Sequence, residues 1–161
     1  LGVLKPRVAI LTTIMPDHMN RYRSMDEYVA DKRLIYADQD GDCHTVVSRD
    51  DPWGRVFAAE TRGRVSWYSS RREEGLPGAW LEGAPGRERG WISGPGGIEE
   101  ILPEELKVPG PHQRRNLLAV GLAARLYGAE APAIRRGLAG FGGVEHRLEL
   151  FAEAGGLRFY N

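Results

Sequence analysis

The N-terminal part of the chain alternates a short apolar run with an amphipathic stretch. Residues Val8 to Ile14 form a β-branched apolar run followed by a Met-Pro-Asp turn, which predicts a buried strand. Ser24 precedes a helical pattern, and Glu27 three residues later completes a capping box. A helix is therefore predicted from Met25 to Tyr36, and its apolar positions recur at helical spacing, which indicates that one face packs on the sheet.

The same order of elements then repeats once. Cys43 to Ser48, which contains the pair Val46-Val47, is predicted as a second short strand. Asp51 and Pro52 follow it as a helix start, with Asp51 as the capping residue and Pro52 in the first helical position. Because strands and helices alternate, we predict an α/β fold in three layers, with a mostly parallel sheet between flanking helices.

Between residues 61 and 110 the pattern changes to short apolar segments separated by clusters of glycine and proline. Such spacing is typical of antiparallel strands joined by tight turns. We therefore predict a small antiparallel meander or flap inserted on the sheet, and we treat residues 61–110 as a variable, β-rich insertion. Its predicted segments are Val65–Ser69, Ala79–Leu81, Trp91–Ser93 and Leu106–Val108.

The C-terminal part returns to helical spacing and ends in a hairpin pattern. A helix is predicted from His112 to Tyr127, where leucines recur four residues apart, and a shorter one from Ala131 to Leu138. Residues Glu145 to Ala152 alternate apolar and polar side chains, and a Gly-Gly pair separates them from Leu157 to Tyr160. This pattern predicts a C-terminal β-hairpin.

Composition excludes several classes of protein. The chain has 161 residues, with 22 Lys plus Arg balanced by 22 Asp plus Glu, so it has no net charge to attract a nucleic acid. No stretch approaches the roughly 18 consecutive apolar residues of a membrane span. The single cysteine, Cys43, cannot form an internal disulfide, and no secretory signal is recognisable, so we expect a cytoplasmic protein.

Candidate chemistry lies where the first predicted strand ends. In open α/β sheets ligands bind beyond the carboxyl ends of the strands, and Asp17 and His18 follow the first strand there. With Lys32 on the next helix, these side chains predict a polar cluster for a metal ion or a phosphate. Neither a phosphate-binding loop of the Gly-x-x-x-x-Gly-Lys-Ser/Thr type nor a Gly-x-Gly-x-x-Gly motif after a strand occurs in the sequence.

Lys32 has two interpretations. It is one of only three lysines, and the helical pattern places it on the face turned to the sheet. A lysine there can lay its aliphatic stem along apolar surface while the amine reaches solvent. Alternatively, partial burial favours the neutral amine, which is the nucleophilic form and which arginine cannot supply.

A series of sequence blocks, taken in order, closely resembles the central domain of the Mur ligase family. The resemblance covers nearly the whole chain outside the variable segment, and the last two blocks are most similar to the family members that add D-glutamate. The blocks are Pro16–Tyr22, Ser24–Tyr28, Ala30–Tyr36, Asp50–Pro52, His112–Ala119, Phe141–Glu149 and Gly156–Asn161.

For the metal site, the resemblance implies roles for two residues. His18 would be a ligand of Mg²⁺. Lys32 would react with carbon dioxide to give a carbamate, an anionic side chain that positions Mg²⁺. A carbamate forms on a neutral amine and not on a guanidinium, so this role requires a lysine.

For the nucleotide site, the resemblance implies three residues that bind ATP, and His146 as a further candidate catalytic residue. Asn116 would lie against the adenine, together with Gln113, which stands where the family usually carries asparagine and keeps an amide with a longer reach. Arg147 would approach the ATP phosphates from the domain junction and offset charge during phosphoryl transfer. His146 beside it also matches the family's pattern.

The resemblance further implies an ATP-dependent ligase of peptidoglycan synthesis. Such an enzyme phosphorylates the carboxylate of UDP-N-acetylmuramoyl-L-alanine, and the amine of D-glutamate attacks the acyl phosphate. Residues 1–144 would be the later part of the ATP-binding domain and residues 145–161 the start of the C-terminal domain, with the phosphate-binding loop expected upstream. We expect a monomeric full-length enzyme, and an isolated fragment that is inactive and able to self-associate through an uncovered sheet edge.

Two alternatives stay open at this point. The first is another member of the superfamily, which adds a different amino acid or extends folate with glutamate. The second is a non-catalytic binding domain on the same scaffold. The second gains support from Thr13 and Met15, because the family usually carries Asn and Thr at these positions beside the metal site.

Overall fold

The computed structural model describes residues 5–16, 20–75, 77–94, 96–144 and 150–160. The strands in this part of the chain are β1 (Val8–Leu11), β2 (His44–Ser48), β3 (Arg64–Ser69), β4 (Gly78–Glu82), β5 (Arg89–Gly94), β6 (Gly97–Leu102), β7 (Leu150–Ala154) and β8 (Leu157–Tyr160). The helices are α1 (Met25–Arg33), α2 (Pro52–Glu60), α3 (Pro111–Leu126) and α4 (Ala131–Gly140).

Six of the strands form one mixed sheet in the order β1-β2-β3-β4-β5-β6. The strands β1 to β4 are parallel to one another, and β5 and β6 continue the sheet in antiparallel pairing. The first two parallel connections, from β1 to β2 and from β2 to β3, run through helices, whereas β4, β5 and β6 are joined by short turns. The third parallel connection, from β3 to β4, is shorter and has no helix in its described residues. The strand β1 forms one edge of this sheet.

Helices cover both faces of the sheet, so the predicted three-layer α/β fold is confirmed. Adjacent residues of a strand point to opposite faces, and Val46 and Val47 of β2 accordingly belong to two different cores. Val47 packs with Phe57 of α2 and with α1. Val46 packs with Leu118 of α3 and with α4. Both valines are fully buried.

Two local sequence signals, the cap at the start of α1 and the Gly-Gly turn of the hairpin, are confirmed. The Ser24 hydroxyl accepts a hydrogen bond from the Glu27 amide at 3.2 Å, and the Glu27 carboxylate accepts from the Arg23 amide at 2.8 Å. The hairpin β7-β8 turns at Gly155 and Gly156, whose φ values of 57° and 79° lie in the left-handed region that glycine adopts without strain. These signals are reliable because each involves residues close together in sequence.

Two predicted elements are shorter in the structure. The strand β1 ends at Leu11 rather than at Ile14, because the Ile14 amide donates to a side chain and leaves the strand ladder. The helix α1 ends at Arg33 rather than at Tyr36. The amides of residues 34, 35 and 36 each bond to the carbonyl three residues earlier, so the helix tightens into turns.

The segment between residues 61 and 110 differs from the prediction in two ways. The strand β3 was expected to belong to an antiparallel insertion but pairs in parallel with both β2 and β4. Leu106–Val108 was expected to be a strand and is irregular, although Val108 is buried in the core that includes α3. The strand β6 was missed because Ile98 to Leu102 lacks a regular alternation of apolar and polar residues.

Among the described residues, no helix combines the length and the hydropathy that crossing a bilayer would need.

Candidate functional site at the carboxyl ends of the strands

Asp51 joins the loop after β1 to the first turn of α2. Its Oδ2 accepts a hydrogen bond from the Ile14 amide at 2.7 Å, and its Oδ1 accepts from the Trp53 amide at 2.9 Å. The side chain is buried, and Pro52 follows it in the first turn of α2, where no backbone donor is needed. The carboxylate predicted as a helix cap therefore also fixes the position of the β1 loop.

Gly54 lets α2 start directly against the end of β2. A Cβ atom at this position would lie 1.9 Å from the backbone oxygen of Ser48, which is far below any van der Waals contact. The close approach is thus possible only without a side chain. It keeps Asp51 and the β1 loop next to the carboxyl end of β2.

Substitution of Gly54 by alanine should lower the free energy of unfolding by about 2–3 kcal/mol, because backbone must move to admit the methyl group. Gly137 is a matched control in α4, since a Cβ there meets nothing within 4 Å. Gly137→Ala should raise the free energy of unfolding by about 0.5–1 kcal/mol through helix propensity. Urea unfolding followed by circular dichroism compares the two variants, and equal stabilities would contradict the close approach.

A cavity of about 500 Å³ opens between α1 and the end of β1, and we call it the lysine cavity. Thr12, Thr13 and Ile14 line one side, and Tyr28, Asp31 and Lys32 line the other. The Lys32 Nζ lies 4.9 Å from the centroid of the Tyr28 ring, a distance that suits a cation–π contact. Lys32 thus lines the cavity at the strand end. Its side chain is exposed, which agrees with the interpretation in which the amine reaches solvent and not with partial burial.

The C-terminal end of α1 is held to α2 by Glu60. Its carboxylate accepts two hydrogen bonds from the Arg33 guanidinium, both at 2.7 Å, and one from the Tyr36 hydroxyl at 2.7 Å. The bonds from Arg33 keep the pKa of Glu60 below its usual range. Because Arg33 follows Lys32 directly, this contact fixes the helix turn that presents the lysine.

A second cavity of about 160 Å³ lies between the β1 loop, the end of β2 and α3, and we call it the arginine cavity. It shares Thr13 and Ile14 with the lysine cavity, so the β1 loop lines both spaces. Ser48, Asp50, Asp51, Tyr68 and Arg115 complete its main lining. Burial raises the pKa of Tyr68 to about 12, and its hydroxyl stays protonated and donates to the Leu11 carbonyl at 3.4 Å.

The two predicted adenine contacts lie near the start of α3. Gln113 and Asn116 are half-buried and are three residues apart, which places them on neighbouring positions of the same helix face. Arg115 lies between them in sequence and lines the arginine cavity. Fold geometry therefore brings the first turns of α3 to the strand ends that also carry the lysine cavity.

Three predicted site residues, His18, His146 and Arg147, lie outside the described residues. Within the described ranges, no three His, Cys, Asp or Glu side chains come together as a metal site would need. The structure thus leaves the predicted roles of these three residues, and the predicted Mg²⁺ site, untested.

Sequence reasoning missed Arg115, Tyr68 and the second role of Asp51. The rule that placed His18 at a strand end applies equally to Ser48, the last residue of β2, and to Asp50 after it, and it would have pointed to this side of the sheet. No sequence signal marks Arg115 or Tyr68, because their places in the cavity depend on how α3 and β3 pack.

Comparison with known proteins supports the resemblance. The family model of the Mur ligase middle domain matches residues 1–124. Two proteins named UDP-N-acetylmuramoylalanine--D-glutamate ligase are similar over almost the whole chain. The one from Acidobacterium capsulatum is 38% identical over 98% of this chain and 34% of its own length. The one from Symbiobacterium thermophilum is 36% identical over 97% of this chain and 34% of its own length.

Solved structures agree on the fold. MurF from Acinetobacter baumannii superposes with a TM-score of 0.71 at 20% identity, over 94% of this chain and 32% of that one. A point mutant of L. casei FPGS gives 0.63 at 18% identity, over 94% and 37%. The chain spans about a third of the length of the curated relatives that it matches. On the match of the middle-domain family over residues 1–124, this chain belongs to the Mur ligase family.

Proposed function

We propose that the full-length protein containing this chain is an ATP-dependent ligase that joins D-glutamate to UDP-N-acetylmuramoyl-L-alanine. The relatives of that name are 36–38% identical to nearly all of this chain, which supports this branch of the family. We further propose that the enzyme acts in the cytoplasm, where a nucleotide-linked precursor and ATP are both present.

The observation that carries the proposal is the position of two cavities beside the same β1 loop. Lys32 faces one of them, and the first turns of α3 border the other. A ligase of this type must hold a phosphate donor next to a carboxylate in the orientation that lets the two react. Two spaces that lie beside one loop at the carboxyl ends of parallel strands suit that task.

Within this proposal the chain's own residues bind and orient the reactants. Asn116 and Gln113 would contact the adenine through side-chain amides, which donate and accept hydrogen bonds. Lys32, as a carbamate, and His18 would hold Mg²⁺, which when bound offsets the negative charge of the phosphates. Arg147 would contact the phosphates and His146 would lie beside it. The contacts described above keep α1 and the β1 loop in place around them.

Release of phosphate from ATP by the full-length protein tests the proposal. Release should require both UDP-N-acetylmuramoyl-L-alanine and D-glutamate. Acceptors that suit other branches, such as L-lysine, D-alanyl-D-alanine or a folate with L-glutamate, should give none. Release with one of those acceptors but not with D-glutamate would assign the protein to another branch. No release with any pair would favour a non-catalytic domain.

A further inference from the structure

Arg115 is a half-buried cation for which the described part of the chain supplies no partner. Its guanidinium lines the arginine cavity and makes neither an ion pair nor a hydrogen bond with the described residues. The preceding residue, Arg114, is also on α3 but is fully engaged, donating to four backbone carbonyls. The free donors of Arg115 thus distinguish it from its neighbour.

The two carboxylates in the same cavity already accept hydrogen bonds from other groups of the chain. Asp51 accepts from the amides of Ile14 and Trp53. Asp50 accepts from the Ser70 amide at 2.7 Å and from the Ser70 hydroxyl at 3.1 Å. Each acid is therefore held by the loops that it organises, which leaves the five N–H donors of Arg115 for another acceptor.

A guanidinium in this setting is suited to a particular chemical group. Its planar fork matches two oxygen atoms of a phosphate or a carboxylate, and such bonds are stronger in a partly buried space. The Ser48 and Thr13 side chains lie in the same lining and add hydroxyl groups. Asp50 and Asp51 place negative charge in the same lining, but their oxygens accept hydrogen bonds from other groups, so the Arg115 donors remain available to a ligand that brings its own oxygen acceptors.

We propose that Arg115 binds an anionic oxygen group, phosphate or carboxylate, of a ligand that enters the arginine cavity. The inference rests on the proposed function, in which two ligands carry such groups. ATP brings phosphates, and UDP-N-acetylmuramoyl-L-alanine brings the carboxylate that reacts. Both would reach the β1 loop, which lines both cavities.

Calorimetric titration of the full-length protein with each ligand alone distinguishes the two sources. Arg115→Gln removes the charge and keeps a side chain of similar shape, and Arg136→Gln is the control, because Arg136 is exposed on α4. We expect the Kd of one ligand to rise by at least about tenfold in Arg115→Gln, in keeping with the loss of a charged hydrogen-bonding pair. A rise for ATP identifies the phosphate, and a rise for the precursor identifies the carboxylate.

Thermal unfolding supplies a readout that separates ligand binding from a structural role. Because Arg115 has no partner in the described chain, Arg115→Gln should unfold at the wild-type Tm or above. If Arg115→Lys unfolded at a much lower Tm and yet bound both ligands with wild-type Kd values, the residue would be structural and the inference would be overturned. Kd values within about twofold of wild type for both ligands in Arg115→Gln would overturn it as well. If the wild-type protein binds neither ligand, the proposed function fails first and the inference fails with it.

Discussion

Lys32→Ala in the full-length protein should lower ligase turnover by about 10²–10³-fold. Loss of a group that holds a catalytic metal removes several kcal/mol of transition-state stabilisation, and each ~1.36 kcal/mol is a tenfold change in rate. Lys32 faces the lysine cavity beside Thr12 and Thr13, at the end of a parallel strand. Turnover measured as phosphate release at saturating substrates gives the effect directly.

Two further variants separate amine chemistry from positive charge. Lys32→Arg keeps a cation near the Tyr28 ring but cannot form a carbamate, so it should be as inactive as Lys32→Ala. Lys107→Ala changes an exposed lysine outside both cavities and should keep turnover within about twofold. Retained activity in Lys32→Arg would exclude the carbamate. Equal losses at Lys32 and Lys107 would mean that the wrong lysine is assigned.

The parts of the fold that sequence predicts well are those determined by neighbours in the chain. The Ser24 cap, the Asp51-Pro52 helix start and the Gly-Gly turn each depend on residues within a few positions. Strand ends are different, because a strand stops where its partner stops offering hydrogen bonds. The end of β1 at Leu11 follows from the bond between Ile14 and Asp51, which are 37 residues apart. No local pattern contains that information.

The direction of β3 escaped prediction for a related reason. A strand of this length among Gly/Pro clusters looks the same whether it pairs in parallel or antiparallel. Its direction is decided by the crossover through α2, which returns the chain to the same end of the sheet. The prediction attached β3 to the segment that follows it, whereas the structure attaches it to the helix that precedes it.

In the candidate site, too, sequence indicated one residue and missed another whose position depends on packing. Lys32 stood out because lysine is rare here, and it lines the lysine cavity, although its side chain is exposed and not turned to the sheet as the helical spacing predicts. Arg115 stood among nineteen arginines and carried no such signal. Its distinction from Arg114 is purely spatial, since one side chain is enclosed by carbonyls and the other opens into a cavity. Adjacent arginines of identical chemistry thus acquire separate tasks from the packing of α3.

Arg114→Met should lower the free energy of unfolding by about 3–5 kcal/mol, because removal of this buried cation leaves four backbone carbonyls and one carboxylate without their donor. Arg114 is 6% exposed. Its guanidinium donates to four backbone carbonyls, those of Gly86 at 2.9 Å, Glu88 at 2.6 Å, Pro103 at 3.4 Å and Glu104. It also lies 3.5 Å from the Glu88 carboxylate. These contacts bind the β4-β5 and β6-α3 connections to α3.

Urea unfolding of Arg114→Met, Arg114→Lys and Arg136→Ala measures this role. Arg114→Lys should lose less than Arg114→Met, since an ammonium reaches only some of the carbonyls that the planar fork reaches. The exposed control Arg136→Ala should stay within about 0.5 kcal/mol of wild type. A loss below about 1 kcal/mol in Arg114→Met would mean that water replaces the guanidinium without cost. The first turns of α3, which carry Gln113, Arg115 and Asn116, would then need another anchor.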